Sequence, residues 1–162
     1  MPKIQDYLAR CGMIINRDVE GTPPTITIAS GDVDTWIALD NSEITGGELS
    51  NGIENKFNCS TVAGEVEATF QTSRKCLFIG TAQVSASNNN VEFGFSLFRN
   101  EETDPIQGLR NSVTLTNLDN VQTITGDRII DVSPGDKFYI KFRSDTATTI
   151  TLKQFSIALV EA

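Results

Sequence analysis

The tightest constraint on what this chain can fold into is an alternating stretch in its last third. From Lys137 to Phe142, the side chains of Phe138, Ile140 and Phe142 fall on one side and those of Lys137, Tyr139 and Lys141 on the other. That is the two-residue period of a half-buried antiparallel strand. Val121 to Val132 reads as the strand before it, and Ser133-Pro134-Gly135-Asp136 as a tight turn between the two. Proline presets φ in such a turn and glycine supplies the permissive position that follows. Thr148 to Val160, rich in Thr, Ile, Leu and Phe, reads as a further strand.

The same signals run backwards through the chain. Strands are predicted at Thr25 to Ala29, Thr35 to Leu39, Lys56 to Ser60, Glu65 to Phe70, Lys75 to Ser85, Val91 to Arg99 and Val113 to Leu118. About ten short strands with turn residues between them, and no helical pattern among them, describe an all-β antiparallel sandwich. Residues 40–55, with Gly46-Gly47 and Asn51-Gly52, read as a long polar loop, a place where function often sits. Residues 1–24 differ from the rest. Ile4, Leu8, Cys11 and Ile15 recur at helical spacing, and Pro23-Pro24 ends the segment. It reads either as a short amphipathic helix or as an extended arm that orders on a partner. The expected division is an arm or helix over 1–24 and one β-domain over 25–162.

Two strands carry extra information. In Val91 to Phe98 the residues Val91, Phe93, Phe95 and Leu97 share a face opposite Glu92, Gly94 and Ser96, so one side is core and the other open. In Lys75 to Val84, Cys76, Phe78, Ala82 and Val84 take one face, but Leu77 and Ile79 make the other face apolar as well. Something covers that second face, and another subunit is the natural candidate. The last strand changes phase between Ile150 and Leu152 on one side and Phe155, Ile157 and Leu159 on the other, which requires a bulge near Lys153-Gln154.

Charge and composition exclude several functions. With a net charge of -8 and 13 scattered Lys and Arg, the chain offers no basic surface for nucleic acid or an anionic membrane. It has no histidine, which removes every Ser-His, Cys-His and His-metal constellation. Glu65 and Glu67, or Asp32 and Asp34, are spaced as paired carboxylates, yet solvated acids are the ordinary reading of such pairs. Asp32 and Asp34 also form a weak calcium candidate without the spacing of an EF-hand. Trp36 and Tyr139 suggest a sugar-binding platform, with a core role for the tryptophan as the plainer reading. No cofactor is expected. Cys11, Cys59 and Cys76 match no disulfide or zinc framework and read as free thiols, Cys76 buried in the core. There is no secretory leader pattern and no apolar run of bilayer length, so a soluble protein made in a reducing cytoplasm is expected.

The run Leu77 to Ser85, the segment Ser87 to Asn90, and Phe93 to Asn100 together resemble the middle hairpin of the C1q and tumour-necrosis-factor-like jelly rolls. Val132-Ser133-Pro134-Gly135-Asp136 is similar to that family's hydrophobic-x-x-Gly-Asp turn, and Phe155-Ser156 to part of its last strand. Asp34 to Asp40 and the loop after it look like tailed-phage virion versions of the fold. The resemblance covers about half the chain and implies a jelly roll that assembles as a homotrimer. It implies a non-enzymatic virion structural protein, assembled in the host cytoplasm, that decorates or cements a capsid. Its partners would then be copies of itself and the major capsid protein or another virion protein. A fibre or receptor-binding tip, able to bind carbohydrate, is the alternative. Under the trimer reading Leu77, Ile79 and Tyr139 are the candidate subunit contacts. The arm, with Ile4, Tyr7, Leu8 and Ile15, is the candidate contact to a neighbouring protein.

Overall fold

The computed structural model describes residues 10–17, 22–109, 111–118 and 120–162. Thirteen strands are present among them: β1 (Arg10–Arg17), β2 (Thr25–Ile28), β3 (Ile37–Ala38), β4 (Ile44–Thr45), β5 (Gly47–Asn55), β6 (Phe57–Ser60), β7 (Glu65–Ala68), β8 (Arg74–Ala86), β9 (Val91–Arg99), β10 (Asn111–Leu115), β11 (Gln122–Val132), β12 (Lys137–Ser144) and β13 (Thr148–Glu161). They form two antiparallel sheets. The seven-stranded sheet runs β11-β8-β13-β1-β5, with β2 beside the first part of β13 and β4 beside β2. The six-stranded sheet runs β10-β9-β12-β7-β6, with β3 against β12.

The alternation that organised the sequence is what fills the space between the sheets. β12 buries every second residue, Phe138, Ile140 and Phe142 among them. β9 supplies Val91, Phe93, Phe95 and Leu97, and β8 supplies Cys76, Phe78, Ala82 and Val84. The ring of Phe95 meets that of Phe155 from the opposite sheet edge-on, at 6.1 Å between centroids, the offset aromatic geometry favours. In β13 the pairing to β8 shifts between Leu152 and Gln154, and the buried side chains on either side of the shift are those the phase change predicts. Gly135 takes a φ of +80° in the turn before β12, and the Asp136 carboxylate accepts the Ser133 N–H at 2.8 Å.

Several expectations need correction. Residues 10–17 are a strand, not the end of a helix. β1 lies between β13 and β5, pairing with both, and buries Cys11 and Met13 at alternate positions. The sandwich therefore includes β1 and does not begin at Thr25. Residues 40–55 are not a structureless loop. They hold β4 and β5, which sequence pattern hid because a polar edge strand carries few apolar residues, here Leu49. The segment through Asn88 to Asn90 does not close a hairpin, since β8 pairs with β11 and β13 while β9 pairs with β10 and β12. That connection crosses from one sheet to the other, as does the turn at Ser133–Asp136, because a jelly roll passes its chain between layers. Finally, Cys11 and Cys59 are joined as a disulfide from β1 to β6, and only Cys76 is a free thiol. Spacing along the chain gave no sign of this pair, which meets only because β1 and β6 flank the same end of the sandwich.

The outer face of β9 is also not open. Ser96 and Phe98 are fully buried there, Ser96 Oγ donating to the Leu109 carbonyl at 2.7 Å. The segment after β9 folds back over this face, and Trp36 and Lys141 cover Phe98.

Candidate assembly surface

The outer face of the seven-stranded sheet gathers three of the six exposed large hydrophobic side chains among the described residues, Ile14, Ile79 and Ile129. Strand register puts its residues in rows that cross the sheet. One row runs Ile129 on β11, Leu77 on β8, Val160 on β13 and Arg10 on β1. The next runs Asp127, Ile79, Ala158 and Gly12, and the one after it Thr125, Thr81, Ser156 and Ile14. Ile129 is 56% exposed, Ile79 42% and Ile14 41%, with Leu77, Ala158 and Val160 half-buried between them. Four neighbouring strands make this band about 14 Å wide. Beyond Ile129 and Leu77 the face turns charged, with Lys75 Nζ 3.3 Å from the Asp131 carboxylate. On the other side it turns to threonine, serine and glutamine.

The face exists because both sides of these strands are apolar. A side chain on the inner side packs in the core, and its neighbour in sequence is left in water. An isoleucine moved from water to a packed interface stabilises it by roughly 1.5–3 kcal/mol, so the band favours association. The charged groups in these rows stand at their ends, Asp127 on β11 and Arg10 on β1.

The residues singled out in the sequence are distributed as follows. Leu77 and Ile79 are neighbours on this face. Tyr139 lies in the other sheet, where its hydroxyl donates to Glu65 Oε2 at 2.5 Å while Lys137 Nζ donates to Glu65 Oε1 at 3.1 Å. The bond from Tyr139 holds the Glu65 carboxyl below its ordinary range, and the same bond, then burial, pushes the tyrosine up to about 12. Tyr139 is thus not brought together with Leu77 and Ile79. Ile15 packs against its own core, and Ile4, Tyr7 and Leu8 lie outside the described residues. Glu65 and Glu67 share a face as expected, but Glu65 is engaged in the network just described.

Asp34 is in an ion pair with Arg143, while Asp32 lies in a short 3-10 turn near Asp40 and Glu43. Burial first, then Asp40 and Asp32, raise the Glu43 carboxyl. Among the described residues no three His, Cys, Asp or Glu side chains converge as metal ligands. Cys76 is fully buried, and burial foremost pushes its thiol up to about 11, which leaves it unreactive at neutral pH. Trp36 is not in the core. It is half-buried on the outside of the six-stranded sheet, 5.3 Å from the Phe98 ring.

No protein-family model matches this chain, and no curated protein is similar to it in sequence. Solved structures do match. The Eiger TNF of S. frugiperda superposes with a TM-score of 0.52 and 9% identity, over 96% of this chain and 91% of that one. Murine APRIL at pH 5.0 gives 0.52 and 10%, over 94% and 99%. The fold is a tumour-necrosis-factor-like jelly roll. The vertex protein P5 of PRD1 overlaps at 0.49 and 13% identity, over 95% of this chain and 97% of that one, too loosely for its role to bear on this chain.

In this TNF-like chain the sequence pointed to two of the six residues of the apolar band, Leu77 and Ile79. Ile14, Ile129, Ala158 and Val160 were missed, although a signal was present for two of them. Met13-Ile14-Ile15 and Ile129-Ile130 are unbroken apolar runs inside strands, and such a run puts a hydrophobic side chain on both faces.

Proposed function

We propose that this chain is a non-enzymatic structural protein that assembles as a homotrimer through the outer face of its seven-stranded sheet. We further propose that it serves a tailed-phage virion as a decoration or cement protein. The observation that carries the assembly reading is the band Leu77, Ile79, Ile129, Ile14, Ala158 and Val160, a contiguous apolar surface on a chain of net charge -8. The fold supports the trimer, since TNF-like jelly rolls typically assemble that way and are typically non-enzymatic. The virion role is supported by the resemblance of Asp34 to Asp40, with the loop after it, to phage versions of the jelly roll. The surface is suited to adhesion by area. Its driving term is non-directional burial, and specificity comes from the charged and hydroxyl-bearing margins.

The test has two arms. Sedimentation equilibrium of the full chain is expected to give the trimer mass, and Ile79→Asp and Ile129→Asp are each expected to shift it to monomer with the fold retained. A monomer at every concentration up to the millimolar range sinks the assembly reading. Separately, the protein is incubated with virus particles that lack it and with host cells, and co-sedimentation is scored. Binding to particles supports cement, whereas binding to cells alone makes the chain a receptor-binding tip.

A further inference from the structure

The apolar rows end in opposite charges that no described residue neutralises. Asp127 ends its row on β11, the edge strand of the seven-stranded sheet, and is exposed there beside Thr125, Ile129 and Ile79. Arg10 ends the adjacent row on β1, half-buried next to Val160, Gly12 and Asn55. Other charges do find partners within the subunit: Lys75 pairs with Asp131 on this same face, Arg74 with Glu161, Lys137 with Glu65 and Arg143 with Asp34. Among the described residues no ion pair holds Asp127 or Arg10, and the Arg10 Nε–H is buried without an acceptor. Three interstrand spacings, about 14 Å, separate β11 from β1. That is too far for the two side chains to meet inside one subunit.

From this arrangement we propose that a second copy is seated on the apolar band head to tail, with Asp127 of one subunit against Arg10 of the partner subunit. The proposal rests on the homotrimer reading and names the contact that orients it. A closed ring of three is built from heterologous contacts, in which two different patches of the same surface meet. Each subunit then offers its β11 edge to one neighbour and its β1 side to the other, and neither charge is left unmatched. The isoleucines, Leu77 and Val160 between the two ends supply the area, but burial of apolar surface has no direction. The charges supply it. β11 against β11 would set Asp127 against its own copy, and β1 against β1 would do the same with Arg10, like charges that oppose both encounters. A guanidinium suits this place, because it stays charged at any working pH and presents a planar fork to a carboxylate.

Sedimentation equilibrium of the full chain and its variants, at about 0.1 M salt, tests the pairing. Arg10→Glu and Asp127→Arg each set like charges together, and each is expected to raise the concentration of half-assembly about tenfold or more. The chain carrying both reversals has opposite charges in exchanged places and is expected to return to within about threefold of the parent. At about 1 M salt the single reversals are expected to approach the parent, since screening weakens the repulsion and leaves burial in place. Thermal melts establish that each variant folds, and Asp127→Arg, at the exposed position, decides alone if Arg10→Glu does not. Ile79→Asp separates this proposal from the reading beneath it. A parent trimer that Ile79→Asp dissociates but that tolerates the charge reversals overturns the pairing, leaves the assembly standing, and makes Asp127 a guard of the β11 edge. A double reversal no better than the single ones overturns the pairing as well. A parent that is monomeric or dimeric removes the ring, and the proposal with it.

Discussion

At the scale of single residues, the cysteines give the sharpest check. The three thiols differ in their surroundings: Cys76 is sealed between the sheets, and Cys11 and Cys59 are bonded to each other. Denatured without reductant and alkylated, the chain is expected to take up one label by mass spectrometry, and three after reduction. Three labels without reductant would show that Cys11 and Cys59 are free. The Tyr139–Glu65 pair makes a second prediction, with opposite pH windows for its two ends. Tyr139 is raised in the folded state, so its contribution is full below the ordinary tyrosine value of about 10 and fades as pH rises towards about 12. Glu65 is lowered, so its contribution is present above the ordinary carboxylate range and disappears as pH falls through the folded value. Glu65→Gln is expected to melt below the parent at pH 7 and to match it in acid. A melting difference that persists in acid would assign the cost to lost packing.

At the scale of elements, the bulge in β13 sets the most exposed bet. Lys153 lets Ile150 and Leu152 on one side of it, and Phe155, Ile157 and Leu159 on the other, all face the core. Deleting Lys153 would turn one of these sets outward, so the deletion variant is expected to show no cooperative thermal transition. By contrast, Phe95→Ala should leave the topology intact and cost about 3–5 kcal/mol in urea unfolding, as a large core truncation does. Elements of this kind were legible because their pattern is strong: β12 and β13 alternate cleanly, and the phase break in β13 announces itself. β1 and β5 were not. Cys11 and Ile15 fit a helical spacing as well as a strand, and Gly47–Asn55 has too few apolar residues to signal anything. Their conformation is decided by partners distant in sequence, β13 for β1 and β1 for β5. The connection at Asn88–Asn90 fails for a related reason. A short polar turn between two strands looks the same whether it closes a hairpin or changes sheets.

At the scale of the whole molecule, the outer face of the seven-stranded sheet decides how copies meet. The band on the seven-stranded sheet is apolar, so its self-association should withstand salt. Raising the ionic strength from about 0.1 M to 1 M shortens the screening length from about 10 to 3 Å and leaves hydrophobic burial in place or strengthens it. Sedimentation at both salt concentrations is expected to give the same mass, and dissociation at the higher one would mean that ion pairs hold the subunits. Two of the six residues of this band were readable from the sequence, because Leu77 and Ile79 interrupt an otherwise regular strand.

The position of β13 has a consequence for biosynthesis. This late strand is the middle of its sheet, with β8 on one flank and β1 and β2 on the other, and it supplies Ala158 and Val160 to the apolar band. Until Thr148–Glu161 has emerged from the ribosome, β8 and β1 have no common neighbour, and the sheet that bears the band is incomplete. Nascent chains on one message therefore hold no finished contact surface for each other until β13 is in place. Such long-range pairing folds slowly, and here the delay separates folding from assembly in time.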